Sequence, residues 1–194
     1  MKKFEITAVL EEACKQGLHC HMFLKADPNC YSCFPVKTSE DLFIYMEEQD
    51  FRLDGYVAKR IKDIVEISSK VDLTDEILKS EGVVDQVESI DIDISSWEGL
   101  LSFLSSHKLN AIFESQDRDS GMPDYVIGRI EKKDDRYLYV RGFDTNGQWE
   151  EKPVRIAFSE LCSISWNTRY VDIFSKYLPP CPVTERDISL VPKD

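Results

Sequence analysis

The densest set of reactive side chains in the chain lies close to its start, as His19-Cys20-His21 followed by Cys30-Tyr31-Ser32-Cys33. On a β-strand, alternate residues share a face, so His19 and His21 point the same way. A Cys-x-x-Cys turn could close on them and give two imidazoles and two thiolates, a donor set that tetrahedral zinc accepts. One reading is therefore a zinc-bearing regulatory protein built on His19, His21, Cys30 and Cys33. Against it, the His pair precedes the Cys pair, and the second half of the chain has Asn110 and Ile112 where the first has the two histidines. A redox role for the Cys pair would call for a helix N-terminus to lower a thiol pKa, whereas the flanking residues read as strand. The expectation is structural thiols and surface imidazoles with no cofactor, and zinc as the alternative.

Other chemistry is poorly served. The sequence contains no Gly-x-Gly-x-x-Gly, no phosphate loop, no Gly-x-Ser-x-Gly and no His-Glu-x-x-His. The third histidine, His107, falls at the end of a helical pattern, where a cation complements the helix dipole. Carboxylate pairs abound, but 36 acidic residues produce such pairs by chance. The chain reads as a non-enzyme.

The elements around these residues follow from composition and periodicity. With 194 residues, 42% hydrophobic and 11% aromatic, the chain can bury a core. Its net charge of −12 repels phosphate backbones at long range and disfavours broad nucleic-acid binding. No apolar run reaches membrane-spanning length, and the opening Met1-Lys2-Lys3-Phe4-Glu5 does not begin a signal peptide. Six cysteines without a secreted-type spacing then indicate a cytoplasmic protein with free thiols. The stretch 81–94 holds five acids and no base, and its alternation of Ile90, Ile92 and Ile94 with Asp91 and Asp93 predicts an extended segment with one buried face. Asp91 and Asp93 read as a solvated face rather than a cation site.

The two halves repeat one another. Leu18–Leu24 falls on Leu109–Ser115, Leu42–Tyr45 on Tyr137–Val140, and Ile61–Ser68 on Phe158–Ser165, at offsets that grow slightly along the chain. Each half opens with a helical pattern. The first carries Ile6, Val9, Leu10, Ala13 and Cys14 with a stop at Gly17; the second carries Trp97, Leu100, Leu101 and Leu104 after a Ser95/Glu98 capping box. About five short strands follow each helix, in the second half near 109–115, 124–132, 136–143, 153–157 and 161–166. Asn146-Gly147 marks a turn there, and Asp54-Gly55 the corresponding loop in the first half.

A helix followed by five short bent strands resembles the Sm-like small β-barrel. The duplicated form is similar to a group of uncharacterised bacterial proteins, through Ile127-Gly128-Arg129-Ile130, Phe143-Asp144, Gly147-Gln148-Trp149 and Arg169–Leu178. The resemblance implies a mostly β (α+β) chain of two tandem five-stranded barrels, each preceded by a helix. The bounds are 1–80, an acidic linker or strand at 81–94, 95–178, and an extended Pro-containing tail at 179–194. An Sm-like RNA-binding protein is one function it implies, with Arg141-Gly142-Phe143-Asp144 as a loose echo of the RNA-contacting turn. The first half has Met46-Glu47-Glu48-Gln49 in that place, so the fold carries over without the RNA site.

The last candidate surface is Arg169–Leu178, where Tyr170, Ile173, Phe174 and Tyr177 keep helical spacing before Pro179-Pro180 ends the helix. The chain is thus expected to be a non-enzymatic binding or scaffolding module, with a protein partner or a second copy on Tyr170, Phe174 and Tyr177. RNA binding through Arg141 is an alternative, and no membrane association is expected.

Overall fold

The computed structural model describes residues 1–25, 27–69, 71–116 and 123–183. Among the described residues strand outweighs helix, 42% against 26%, so the protein is mostly β. It divides into two compact units, 1–100 and 101–194.

The first unit opens with α1 (Lys3–Gln16), which buries Ile6, Leu10 and Ala13 along one stripe. Glu5 accepts the Lys2 N–H at its start, and Gly17 ends it at φ 65°, a left-handed conformation that costs glycine little. Five strands follow: β1 (Cys20–Leu24), β2 (Asp27–Thr38), β3 (Leu42–Gln49), β4 (Arg52–Arg60) and β5 (Ile64–Ser68). All pair antiparallel in the order β5-β1-β2-β3-β4. On one face, α1 covers Cys20, Met22, Cys33, Phe43, Tyr45, Val57 and Ile61. On the other, α2 (Leu73–Ser80) and the 3-10 turn Val84–Gln86 bring Leu78 and Val83 onto Phe34. Burial on both faces explains why Leu42 to Met46 is a continuous apolar run rather than an alternating one.

The second unit repeats this order. Helix α3 (Trp97–Ser106) leads into it and contains the division between the units. Then come β6 (Ala111–Gln116), β7 (Pro123–Lys133), β8 (Tyr137–Gly142), β9 (Val154–Ala157) and β10 (Leu161–Trp166), paired β10-β6-β7-β8-β9. Helix α4 (Arg169–Ser175) follows. Ala111, Phe113, Ile130, Leu138, Val140, Ile156, Leu161, Ile164 and Trp166 are buried.

Four expectations are corrected. Neither five-stranded sheet closes into a barrel among the described residues. In the first unit, the 3-10 turn Ile61–Asp63 carries the chain from β4 across to β1, so β4 and β5 take opposite ends of the ladder. The stretch 81–94 forms no strand ladder; Ile92 and Ile94 are buried and Asp91 and Asp93 exposed, as their alternation requires, but 84–86 is a 3-10 turn. The β3–β4 hairpin turns at Asp50-Phe51, both at positive φ, and Asp54-Gly55 lies within β4. At the start of α3 it is the Ser96 hydroxyl, not Ser95, that accepts the Glu98 N–H. Of the expected tail, Pro179–Val183 is described, and the remainder, with Pro192, lies outside the described residues. Among the described residues no helix is long and apolar enough to cross a membrane.

Candidate functional site

Register builds a polar row on the α2 side of the first unit's sheet. His21 pairs with Ser32, and Ser32 with Glu48, so these three lie side by side across β1, β2 and β3. His19, two residues before His21, shares their face, with the two rings 4.8 Å apart edge to face. The remaining members come from α2, whose capping box ties Asp72 to Asp75. One oxygen of each carboxylate serves the helix: Asp72 Oδ1 accepts the Thr74 N–H at 2.7 Å, and Asp75 Oδ2 accepts the Asp72 N–H at 2.8 Å. The other oxygen of each faces an imidazole. Asp75 Oδ1 is 3.1 Å from His19 Nδ1, and Asp72 Oδ2 is 3.5 Å from His21 Nε2. The backbone N–H of Thr74 in particular holds the Asp72 carboxyl below the usual range.

His19 is buried and sits at the centre of a chain of contacts. Its Nε2 is 2.5 Å from Ser32 Oγ, which is itself 2.5 Å from Glu48 Oε2. Glu48 Oε1 accepts the Phe51 N–H at 2.6 Å and so supports the left-handed turn at Asp50-Phe51. The Ser32 hydroxyl has one proton and can donate to only one neighbour at a time. It points to Glu48 when His19 Nε2 carries a proton and to His19 when Nε2 is bare. Burial pushes the His19 pKa down, against the opposing pull of the Asp75 charge.

The four residues read as a zinc set do not converge. Cys33 pairs with Cys20, and both are buried in the core beneath α1, on the opposite face from His21. Cys30 and Cys33 are three residues apart on one strand, and a period of two puts their side chains on opposite faces. Cys30 stays with the histidines, exposed, its Sγ 3.9 Å from His21 Nδ1. Among the described residues no group of three or more His, Cys, Asp or Glu is disposed to hold a metal. Asp93 accepts the Ser95 N–H, and Asp91, fully exposed, lies 3.7 Å from Lys37.

In the second unit Arg141 is fully engaged. Its Nε and Nη2 bind Glu131 at 2.7 and 2.5 Å, and Nη1 donates to the carbonyls of Glu150 and Glu151. The aromatic stripe behaves differently. Phe174 stacks on Phe143 at 5.3 Å and on Tyr170 at 5.6 Å, while Phe143 meets Trp149 edge-on. The Trp149 indole donates to Pro179 O, and the Thr168 hydroxyl caps α4. Val171 is the side chain α4 buries; Tyr170, Ile173 and Tyr177 are 50%, 44% and 82% exposed. His107 lies at the helix end, its ring nitrogen 2.9 Å from Phe103 O.

Sequence reasoning missed Ser32, Glu48, Asp72 and Asp75. The last two carried a readable signal, because Asp72-x-x-Asp75 before Ile77 and Leu78 is a capping-box pattern with an acid at its third position. Ser32 and Glu48 had none, since only the strand register brings them to His19.

Comparison with known proteins returned no matching family model, and no curated protein matches. Among solved structures, MrkH of K. pneumonia in its apo state aligns over 90% of this chain and 88% of that one at 8% identity, with a TM-score of 0.18. A superposition of that quality supports no statement about fold or function.

Proposed function

We propose that this protein is a non-enzymatic binding module, and that its partner is a protein docking on the aromatic surface of the second unit. The observation behind this reading is that Tyr170, Ile173 and Tyr177 stand exposed on and beside a helix whose Phe174 is stacked on Phe143. Large amphipathic rings on a rigid base can bury much area at little entropic cost, which is why such residues dominate interface energetics. The base here is fixed by Phe143, Trp149 and the Trp149 bond to Pro179.

A second reading, RNA binding, draws on other residues than Arg141. On the outer face of β7, β8 and β9, Lys132 lies over the Tyr139 ring at 4.7 Å and Arg155 over the Tyr137 ring at 4.5 Å, with both cations exposed. Alternating rings and cations suit a single strand of nucleic acid.

Capture of the tagged full chain from its own cell lysate, with protein and RNA quantified separately, tests both. A stoichiometric protein lost on Tyr170→Ser with Tyr177→Ser is the expected result. RNA that is released by moderate salt and by Lys132→Ala with Arg155→Ala would replace the first reading with the second.

A further inference from the structure

Of the six free cysteines, Cys30 alone is exposed. Two others lie in the core of the first unit, where burial pushes the Cys20 thiol up to about 12 and raises Cys33 as well. Cys14 is half-buried on α1 and raised by burial to about 11. Cys162 is half-buried and donates to Glu160 O, and Cys181 is half-buried. A thiol reacts as its thiolate, so Cys14, Cys20 and Cys33 are hard to ionise, and Cys162 and Cys181 are less accessible than Cys30.

Cys30 also has a base and an orienting group beside it. His21 Nδ1 is 3.9 Å from the sulfur, and the opposite ring nitrogen, Nε2, is buried without a hydrogen bond, with the Asp72 carboxylate oxygen Oδ2 3.5 Å away. A carboxylate on that side favours the tautomer with its proton on Nε2, which leaves the Nδ1 lone pair directed at the thiol. Asp72 is itself fixed, because its other oxygen caps α2. The His19 ring lies 4.8 Å from His21 and is held by Asp75 and Ser32, so it braces the imidazole without competing for the sulfur.

We propose that Cys30, with His21 as base and Asp72 as the group that sets the His21 tautomer, is a reactive thiol at which small-molecule disulfides modify this protein. The Cys30 thiol gives its proton to His21 Nδ1. The thiolate attacks one sulfur of the disulfide and forms a new S–S bond as the old one breaks. The leaving thiolate takes the proton from His21 and departs as a free thiol. Cys30 is oxidised to a mixed disulfide, and half of the incoming disulfide is reduced. Cys33 lies on the other face of the sheet and cannot displace the adduct, so the product is a stable mixed disulfide and not an internal Cys30–Cys33 bridge.

The test treats the native full chain with glutathione disulfide and follows intact mass and peptide maps over time, from pH 6 to pH 9. The expected result is one adduct, on Cys30, absent in Cys30→Ser. His21→Asn should slow it about tenfold near neutral pH, less than a positioned base usually contributes, because a thiol is already partly ionised without one. It should also give the steeper pH dependence of an unassisted thiol. Asp72→Asn keeps the side chain's shape, removes its charge and should lower the rate in the same sense, so the idea remains testable if His21→Asn fails to fold. First reaction at Cys14, Cys162 or Cys181, an internal disulfide, or unchanged rates and pH profiles in folded His21→Asn or Asp72→Asn would overturn it.

Discussion

Equivalent places in the two units hold opposite chemistry. In the first, the residue just before the first strand is His19, which meets Asp75 on the helix that follows the fifth strand. In the second it is Asn110, which donates to Ser175 on the helix in the same place and accepts from Arg129. Matched strand by strand, Glu48 falls where the second unit has Phe143, and Ser32 where it has Ile127; Phe143 N–H donates to Ile127 O there. One backbone plan thus joins its last helix to its first strand through a buried ionisable row in one copy. In the other unit it uses a neutral amide, bonded to Ser175 and to the Arg129 guanidinium, and stacked rings. The lesson is that topology fixes which positions meet, and side-chain type decides what the meeting can do.

The largest expected effect tests how closely the second ladder packs. Gly128 faces Gly142 across β7 and β8, and a Cβ on Gly128 would fall 2.0 Å from Arg141 O, a backbone atom that cannot swing aside. The equivalent residue of the first unit, Cys33, already carries a side chain in the core. Gly128→Ala should therefore destabilise the protein by about 3 kcal/mol, the upper part of the range for overpacking. Cys33→Ala should cost about 1 kcal/mol through a small cavity. Urea denaturation of both variants checks this, and similar midpoints would mean that the second ladder packs no more closely than the first at this position.

Next comes the aromatic surface. Phe174→Ala removes the ring stacked on Phe143 and Tyr170 and should cost about 2 kcal/mol, since Phe174 is only half-buried. Tyr177→Ala should be within about 0.5 kcal/mol of the parent, because that side chain is 82% exposed. A large loss of stability for Tyr177→Ala would show that the ring is part of the fold rather than a free surface. In the first unit, Ser32→Ala leaves His19 Nε2 and Glu48 Oε2 without their shared hydroxyl and should cost about 1–3 kcal/mol. Thermal unfolding of Ser32→Ala beside Ser32→Thr, which restores a hydroxyl, separates that loss from simple packing.

Much of this difference was readable beforehand, and the part that was not has a physical reason. The two halves can be aligned because period-two alternation is present in Cys20/Met22 and Ala111/Phe113, and in Phe43/Tyr45 and Leu138/Val140, all of which are buried. The second unit's strands lie within a few residues of their expected bounds because each is short and flanked by turn residues. Sheet closure could not be read, since it depends on whether the ends of distant strands meet, and no local pattern encodes that. His19 and His21 were placed correctly on one face. Their carboxylate partners lie more than 50 residues downstream on a helix that was not anticipated, so the site itself remained invisible. The parity of Cys30 and Cys33 was readable from strand period alone and excludes a shared ligand set.

The smallest effect is the most specific to one copy, and it concerns pH. Backbone N–H groups hold Asp134 and Asp144 of the second unit below the usual carboxylate range, as they hold Asp72 in the first. A carboxyl depressed on folding adds stability that is present above its unfolded pKa, near 3.8, and is lost as pH falls through the folded value. That acid window is common to both units and cannot tell them apart. His19 opens a window of its own. Burial lowers its folded pKa below 6.5, so between those two values the unfolded chain binds a proton that the folded chain does not. Stability must then decline as pH drops below 6.5 and level off once the folded imidazole is also protonated. Asn110 has no proton to gain, so His19→Asn gives the first unit the residue of the second and should flatten stability between pH 5 and 7 while leaving the acid limb near pH 4 in place. Urea midpoints at half-unit pH steps read this directly. A slope unchanged by His19→Asn would assign the window to another group, and a slope of opposite sign would mean that the Asp75 and Glu48 charges outweigh burial and hold His19 as an imidazolium between them.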